Sequence, residues 1–281
     1  MVTRGTYDDQ DAHRACESVL IELVHLMGEF REHMVVVGGW VPNLLFRNAE
    51  EPHTGSLDID VALDFRHIPD ETYQTILQAL GERGYRQDAQ DPYRFHRSVP
   101  RHGGDAVSVT VDFLAGEYGG TGRGHRTQKV QDARARKARG ADLVFENVAE
   151  VGLEGELPGG GRDRVTVRVA AIVPWLVMKG MALADRLKEK DAYDITYCVH
   201  NFPGGPRALA DECRPYLNNR LVREGLGKIR AKFVTVDHVG PKMVADFEEI
   251  TDIDARDILR RRCYEEVTAW LDALGIEPWE R

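Results

Sequence analysis

The sequence predicts a mixed α/β (α+β) N-terminal domain followed by a mainly helical C-terminal domain. Segments 57–63 and 107–114 alternate apolar with polar residues, which is the period of a strand with one buried face. From Pro174 onward the pattern is that of helices, and the last segment keeps apolar residues at steps of three and four. We therefore predict one domain over residues 1–170 and a helical domain over residues 171–281.

The first elements are predicted to alternate between helix and strand. An apolar stripe at helical spacing comes first, and the β-branched run 34–37 then predicts a buried strand that ends at Gly38 and Gly39. Residues 40–46 predict a short helix with Pro42 in its first turn. Proline is tolerated there because the N–H groups of the first turn make no hydrogen bond within the helix. The stripe consists of Leu20, Leu23, Val24 and Met27.

The remaining elements follow from the same periodicities. A helix is predicted from Pro69 to the glycines at 81 and 84, and a polar loop separates it from the second alternating strand. Residues 116–140 are rich in Gly, Arg and Lys, which favours a long loop or an exposed helix. Residues 155–164 predict a hairpin or loop tip, and residues 165–169 predict a strand.

Length and composition exclude several classes of protein. With 281 residues and a hydrophobic fraction of 42%, the chain can bury at least one core. A net charge of −9 argues against polyanion binding by the whole surface but leaves room for a local basic groove. The four cysteines have no metal-site spacing and are expected to be buried and reduced. No apolar stretch approaches the ~20 residues of a membrane span, and we expect a cytoplasmic protein without membrane contact.

Three aspartates form the candidate metal site. Asp58 and Asp60 lie at i and i+2, so they share one face of a strand within roughly 7 Å of each other. Asp112 is the only acid on the polar face of the second alternating strand, and it is the candidate third carboxylate. Carboxylate oxygens are the ligands that Mg²⁺ prefers, and two metals about 3.5–4 Å apart suit phosphoryl chemistry. The alternative explanation involves no metal, because acidic residues often line the solvent face of a half-buried strand.

Gly38 and Gly39 add a second indication. A strand that runs into two glycines and then a helix exposes backbone N–H groups that can receive phosphate. With these features, the chain resembles the polymerase-β-like nucleotidyltransferase superfamily, and within it the AbiEii and MenT group of toxin nucleotidyltransferases. The matching blocks are Val36-Val37-Gly38-Gly39-Trp40, Gly55-Ser56-Leu57-Asp58-Ile59-Asp60 and Val109-Thr110-Val111-Asp112.

The resemblance implies a polymerase-β-like core with a mixed sheet, and residues 1–170 as the nucleotidyltransferase catalytic domain. It implies Mg²⁺ or Mn²⁺ on Asp58, Asp60 and Asp112, with Gly39 and Ser56 near the triphosphate of an NTP substrate. Gly39 stands where many members of the superfamily carry serine, so Ser56 would supply the hydroxyl. In the toxin group a serine at this place is also a site of inhibitory phosphorylation, which is carried to Ser56 as a hypothesis.

A basic segment in the second half carries another matching block. At about 100° per residue, Lys179, Arg186 and Lys190 fall on one stripe of a helix. Such a row is more often a solvated face than a phosphate site. The resemblance reverses this preference, because it implies that Lys179 grips the NTP phosphates and that Asp191 or Asp194 orients the basic residues or approaches the site.

These observations predict a nucleotidyltransferase whose acceptor, by the resemblance, is the 3′ end of an RNA such as tRNA. By the same resemblance the protein would be the toxin of a toxin–antitoxin pair, with a cognate antitoxin as partner. Two alternatives stay open: transfer to a small hydroxyl compound such as an antibiotic, and a non-catalytic nucleotide-binding protein. The basic segment 123–139 is a further candidate for RNA contact, although the sequence favours a charged surface helix as its explanation.

Overall fold

The computed structural model describes residues 3–64, 66–68, 70–101, 104–116, 127–130 and 133–280. Within these residues the protein is mixed α/β, and it divides into two compact units. The sheet unit comprises Asp9–Leu45 and Gly55–Ala171, and the helical unit comprises Met1–Asp8, Phe46–Thr54 and Ile172–Arg281. The helical unit thus includes two short segments that precede residue 55.

A mixed sheet forms the centre of the sheet unit. Its described strands are β1 (Met34–Val37), β2 (Asp58–Leu63), β3 (Tyr85–Gln87), β4 (Arg94–Arg101), β5 (Gly104–Ala115), β6 (Thr127–Val130), β7 (Ala133–Lys137), β8 (Val148–Glu156) and β9 (Arg162–Ala170). The main path of the sheet is β3-β4-β5-β2-β1-β9-β8, and β7 pairs with both β5 and β6. Among these pairs, β1 with β9, β2 with β5 and β5 with β7 are parallel. The strand predicted at the double glycine, β1, is buried along its whole length, as expected for a β-branched run.

Helices cover this sheet because each has an apolar stripe to bury. The helices of the sheet unit are α1 (Gln10–Met27), α2 (Val41–Leu45) and α3 (Asp70–Glu82). The side chain of Asp9 caps α1 by accepting hydrogen bonds from the backbone N–H groups of Asp11 and Ala12. Leu20 and Leu23 of α1 are about 1% exposed, and each such burial stabilises the fold by roughly 1.5–3 kcal/mol.

The second unit is helical, as the sequence predicts. The helices Ile172–Arg186 and Arg220–Arg230 are in close contact at Gly180 and Gly225. A Cβ at Gly180 would overlap the carbonyl oxygen of Gly225, so the contact requires glycine. Among the described helices, none has the length and apolar character that crossing a membrane requires. The four cysteines are free and buried, which confirms the prediction from their spacing. The helices are α4 (Ile172–Arg186), α5 (Glu189–Asn201), α6 (Gly205–Cys213), α7 (Arg220–Arg230), α8 (Val239–Phe247) and α9 (Ile253–Asp272).

Two segments of the sheet unit differ from the predictions. The expected polar loop contains β3 and β4, and the expected loop or exposed helix at 116–140 contains β6 and β7. In β4 the buried face carries Phe95, Arg97 and Val99, and the charge of Arg97 hides the alternation. Arg97 tolerates this position because its Nε donates to a carboxylate oxygen of Glu22 on α1 at 3.0 Å.

Candidate metal and nucleotide site

The pairing of β2 with β5 brings the three aspartates to one face of the sheet. The two strands are parallel, with Asp58 opposite Thr110 and Asp60 opposite Asp112. Registered neighbours project to the same face, and neighbouring strands lie about 4.8 Å apart. Asp58 is exposed, Asp60 is half-buried, and Asp112 is only 4% exposed. The three carboxylates therefore form a row whose accessibility falls from Asp58 to Asp112.

Arg94 is a member of this site that the sequence did not single out. It lies on β4 opposite Asp112, and its guanidinium donates to both carboxylate oxygens: Nε to Oδ1 and Nη2 to Oδ2, each at 2.8 Å. This paired geometry is the strong form of a charge-assisted hydrogen bond. The bond to Asp112 raises the pKa of Arg94 above its ordinary value. The only local signal was the weak alternation of β4, which the charged residues obscure.

Gly38 shapes the other side of the row. Val37, the last residue of β1, pairs with Asp60, and Gly38 follows it with a left-handed φ of +69°. A Cβ at Gly38 would overlap the carboxylate of Asp60. Glycine is therefore required here for two reasons: the backbone conformation and the close approach of the Asp60 side chain.

Ser56 lies at the entrance to β2. Its hydroxyl accepts a hydrogen bond from the backbone N–H of Asp58 at 3.4 Å, which fixes the turn before the strand. Gly39 is buried and Ser56 is half-buried. Within the sheet unit, the structure thus brings together the end of β1, the start of β2 and the part of β5 that carries Asp112. These segments hold or adjoin Gly38, Ser56, Asp58, Asp60 and Asp112.

The basic segment in the helical unit differs from the prediction of one continuous helix. Helix α4 ends at Arg186, Leu187 has a positive φ of 47°, and α5 begins at Glu189. Lys179 and Lys190 therefore lie on different helices, and the expected stripe of cations on one helix is wrong. Neither Gly nor Pro marks this break, so the sequence carried no ordinary signal for it.

Lys179 is the centre of a buried ionic network in the helical unit. Lys179 is 6% exposed, and its ammonium donates to Asp191 at 2.9 Å and to Asp194 at 2.5 Å. Burial opposes the charged form, but the two carboxylates outweigh it and raise the pKa of Lys179. The lysine is held between two acids.

The network continues on both sides of Asp194 and Asp191. Asp194 also accepts from Lys190 at 2.8 Å and lies 3.0 Å from Nε2 of His53. Burial works against the charge of Asp194, yet the two lysines hold its pKa well below its ordinary value. Arg186 makes two bonds to Asp191, with Nε at 2.7 Å from Oδ2 and Nη2 at 2.8 Å from Oδ1. Its side chain is 40% exposed, which makes Arg186 the most accessible cation of this network.

The charges of this network do not cancel. Burial lowers the pKa of His53 to about 4, so this residue is neutral near pH 7. The other members are three cations (Lys179, Arg186 and Lys190) and two carboxylates, so their sum is +1. A residual positive charge near an exposed guanidinium is suited to attracting an anion.

The aspartate row fits a divalent cation through two of its members. Asp58 and Asp60 offer the hard oxygen ligands that Mg²⁺ and Mn²⁺ take. Asp112 stands beside them, but both of its oxygens already accept from Arg94.

Part of the basic segment 123–139, including Arg123, His125 and Arg126, lies outside the described residues. A comparison with models of known protein families gives no match, and a comparison with curated proteins gives no significant match.

Proposed function

We propose that this protein is a Mg²⁺- or Mn²⁺-dependent nucleotidyltransferase with a polymerase-β-like core, which moves an NMP from an NTP to a hydroxyl acceptor. The observation that carries the proposal is the parallel register of β2 and β5, with Asp60 opposite Asp112 and Asp58 on the same face. The double glycine after β1 supports it, because Gly38 lies against the carboxylate of Asp60.

The charge of the row suits a divalent cation. Asp58, Asp60 and Asp112 contribute −3 and Arg94 contributes +1, so these four side chains sum to −2. Asp58 and Asp60 would hold the ion, which supplies neutralisation of the triphosphate and activation of the acceptor hydroxyl. A second ion on Asp112 would require Arg94 to release at least one carboxylate oxygen.

The chain's own residues would then bind and orient the substrate. The acceptor oxygen forms a bond to the α-phosphorus of the NTP, the bond from that phosphorus to the bridging oxygen breaks, and pyrophosphate leaves while the hydroxyl proton is released. The backbone N–H groups at Gly38 and Gly39, with the hydroxyl of Ser56, would receive phosphate oxygens. Arg94 holds the carboxylate of Asp112 in place through both of its oxygens, in register with Asp60.

The buried network suggests how the second basic element would contribute. Lys179 and Lys190 are covered and bonded to acids, whereas Arg186 reaches the surface of its unit. In our proposal Lys179 sets the positions of Asp191 and Asp194, and the guanidinium of Arg186 binds a phosphate group. This assigns to Lys179 a positioning part in place of the direct grip that the resemblance implies.

The proposed acceptor is the 3′ end of an RNA such as tRNA, with the protein acting as a toxin that a cognate antitoxin restrains. This choice rests on the resemblance of the three sequence blocks to the AbiEii and MenT group. The acceptor can be tested separately from the chemistry.

The test is a labelling assay with the purified full-length protein. Each of the four NTPs, labelled at the α-phosphate, is incubated with Mg²⁺ or Mn²⁺ and with total RNA, purified tRNA or a small hydroxyl compound. We expect label in RNA, and we expect Asp58→Asn and Asp60→Asn to lower the rate at least a thousandfold, which corresponds to about 4 kcal/mol in the barrier. The matched control is Asp105→Asn, an exposed aspartate on β5 away from the row, which should keep full activity.

The outcomes separate the alternatives. Label in the small hydroxyl compound but never in RNA would overturn the acceptor and keep the chemistry. Full activity in Asp58→Asn would overturn the metal site. No transfer to any acceptor by a folded protein would favour a non-catalytic nucleotide-binding protein.

A further inference from the structure

A second group of side chains of the kind that ligate metals lies at the opposite end of β2 from Asp58. His33 directly precedes β1 and Asp64 directly follows β2, and these strand ends meet because Met34 pairs with Leu63. The backbone N–H of Asp64 donates to the carbonyl of His33 at 2.9 Å. From Asp58 to Asp64 the chain advances six residues along the strand direction, which is roughly 20 Å. The group is therefore separate from the aspartate row.

The group contains two imidazoles and one carboxylate. One ligand atom from each of His33, Asp64 and His67 lies within 4.8 Å of the other two. Nδ1 of His67 is 2.8 Å from Oδ2 of Asp64, and the rings of His33 and His67 are stacked with centroids 5.3 Å apart. Zn²⁺ takes imidazole nitrogen and carboxylate oxygen at about 2.0–2.2 Å, so small side-chain rotations would close this set around an ion.

The carboxylate of this group, Asp64, is held in place by hydrogen bonds from Arg66. Asp64 is 4% exposed, and Oδ1 accepts from Nε of Arg66 at 2.8 Å and from its backbone N–H at 3.2 Å. Such bonds orient metal-ligating carboxylates in known sites. Nη2 of Arg66 also donates to Oδ2 at 3.0 Å, so the guanidinium competes for the oxygen that faces His67. Because the Arg66 side chain is half-exposed, it can move aside into solvent.

We propose that His33, Asp64 and His67 form a second cation site, which takes Zn²⁺ or a similar transition-metal ion and completes its coordination with water. Two imidazoles with one carboxylate are a softer donor set than the aspartate row and select transition metals over Mg²⁺. The bound ion would link the start of β1 to the segment that follows β2. This proposal does not depend on the nucleotidyltransferase activity.

The test is zinc titration of the chelator-treated full-length protein, by calorimetry and by competition with a chromogenic chelator. We expect one Zn²⁺ per chain, weakened at least tenfold by His67→Ala and lost in the His33→Ala/His67→Ala double variant. Arg66→Ala should tighten binding, because it removes the competitor for Oδ2. Asp58→Asn/Asp60→Asn should leave this binding unchanged, which separates the site from the aspartate row.

Two other histidines provide matched controls. His25 and His200 are each about half-exposed and each lies within 3.0 Å of a carboxylate oxygen, from Asp163 and Glu266 respectively. His25→Ala and His200→Ala should keep wild-type zinc affinity. The proposal is overturned if the wild type binds no more zinc than the double variant, or if the control variants weaken binding as much as His67→Ala. Arg66→Ala that leaves affinity unchanged or weaker would also contradict it. Circular dichroism with a thermal melt checks that every variant is folded.

Discussion

The aspartates of β2 and those of α5 belong to the same residue type and have opposite surroundings. Asp58 is exposed and Asp60 half-buried in the sheet unit, whereas Asp191 and Asp194 are 1% and 0% exposed in the helical unit. A buried carboxylate must be paired, since an unpaired charge away from water costs several kcal/mol. The carboxylates of α5 are therefore paired with cations of their own unit, whereas Asp58 and Asp60 of β2 are more exposed to solvent.

Asp112 lies between these two extremes. It is as buried as the acids of α5, yet it stands in register with Asp60 in the sheet. Arg94 pairs with both carboxylate oxygens of Asp112, so this buried acid has a cationic partner while it stays in register with Asp60. The comparison teaches that burial alone does not separate a structural acid from a candidate site residue, and that the partner of each acid has to be identified.

The largest expected effect is on stability, from removal of Asp194. In Asp194→Ala two buried ammonium groups lose a carboxylate, so the free energy of unfolding should fall by about 3–5 kcal/mol. Asp211→Ala is the matched control, because Asp211 pairs with Arg214 at an exposed position and should change stability by less than about 1 kcal/mol. Urea unfolding followed by circular dichroism measures both. Equal losses in the two variants would contradict the buried network.

A smaller effect is expected from Gly38→Ala. The left-handed φ costs alanine about 1–2 kcal/mol, and the new Cβ must also displace the carboxylate of Asp60. We expect Mn²⁺ affinity to fall at least tenfold. Gly160→Ala separates the two causes, since Gly160 also has a positive φ but nothing lies within 4 Å of its Cβ position. That control should lose only the free energy that the left-handed φ costs, about 1–2 kcal/mol, and should keep its Mn²⁺ affinity, as measured by calorimetry. An equal loss of Mn²⁺ affinity in Gly160→Ala would contradict a local effect of Gly38 on the metal site.

Much of the site could be predicted because it depends on local patterns. The alternation around Asp58 and Asp60, and the same alternation before Asp112, defines two strands, each with its acids on one face. Arg94 could not be predicted in the same way, because β4 carries Arg97 on its buried face. The partner of Arg97 is Glu22, 75 residues earlier in the chain, and no local pattern reveals a pairing over that distance.

The helical character of the second unit could be predicted from the sequence, but the residue at which α4 ends could not. The apolar spacing after Pro174 predicts helices, but α4 stops after Arg186 at a leucine that adopts a left-handed φ. Leucine rarely adopts this conformation, so tertiary packing overrides its local preference. Lys179 is buried against carboxylates of the next helix, α5, whereas Lys190 pairs with Asp194 one turn along α5 itself.

The smallest effect is the pH dependence that His53 contributes. Burial lowers the pKa of His53 to about 4, and although the neighbouring Asp194 acts in the opposite direction, Lys190 reinforces the effect of burial. The unfolded chain has the ordinary value of about 6.5, so it binds a proton in this window while the folded protein does not. The contribution is complete above pH ~6.5 and is lost as the pH falls towards ~4. Between about pH 7 and pH 5.5 the free energy of unfolding should therefore fall by about 1 kcal/mol.

A substitution isolates this contribution from the titration of the carboxylates. In His53→Gln the amide can still donate to Asp194 but cannot take up a proton in this range, so the loss of stability between about pH 7 and pH 5.5 should largely disappear. His200→Gln is the control, because His200 is half-exposed and bonded to Glu266, and it should retain the wild-type slope. Urea unfolding at closely spaced pH values measures the slope for all three proteins. A slope in His53→Gln equal to that of the wild type would show that burial in the network does not lower the pKa of His53.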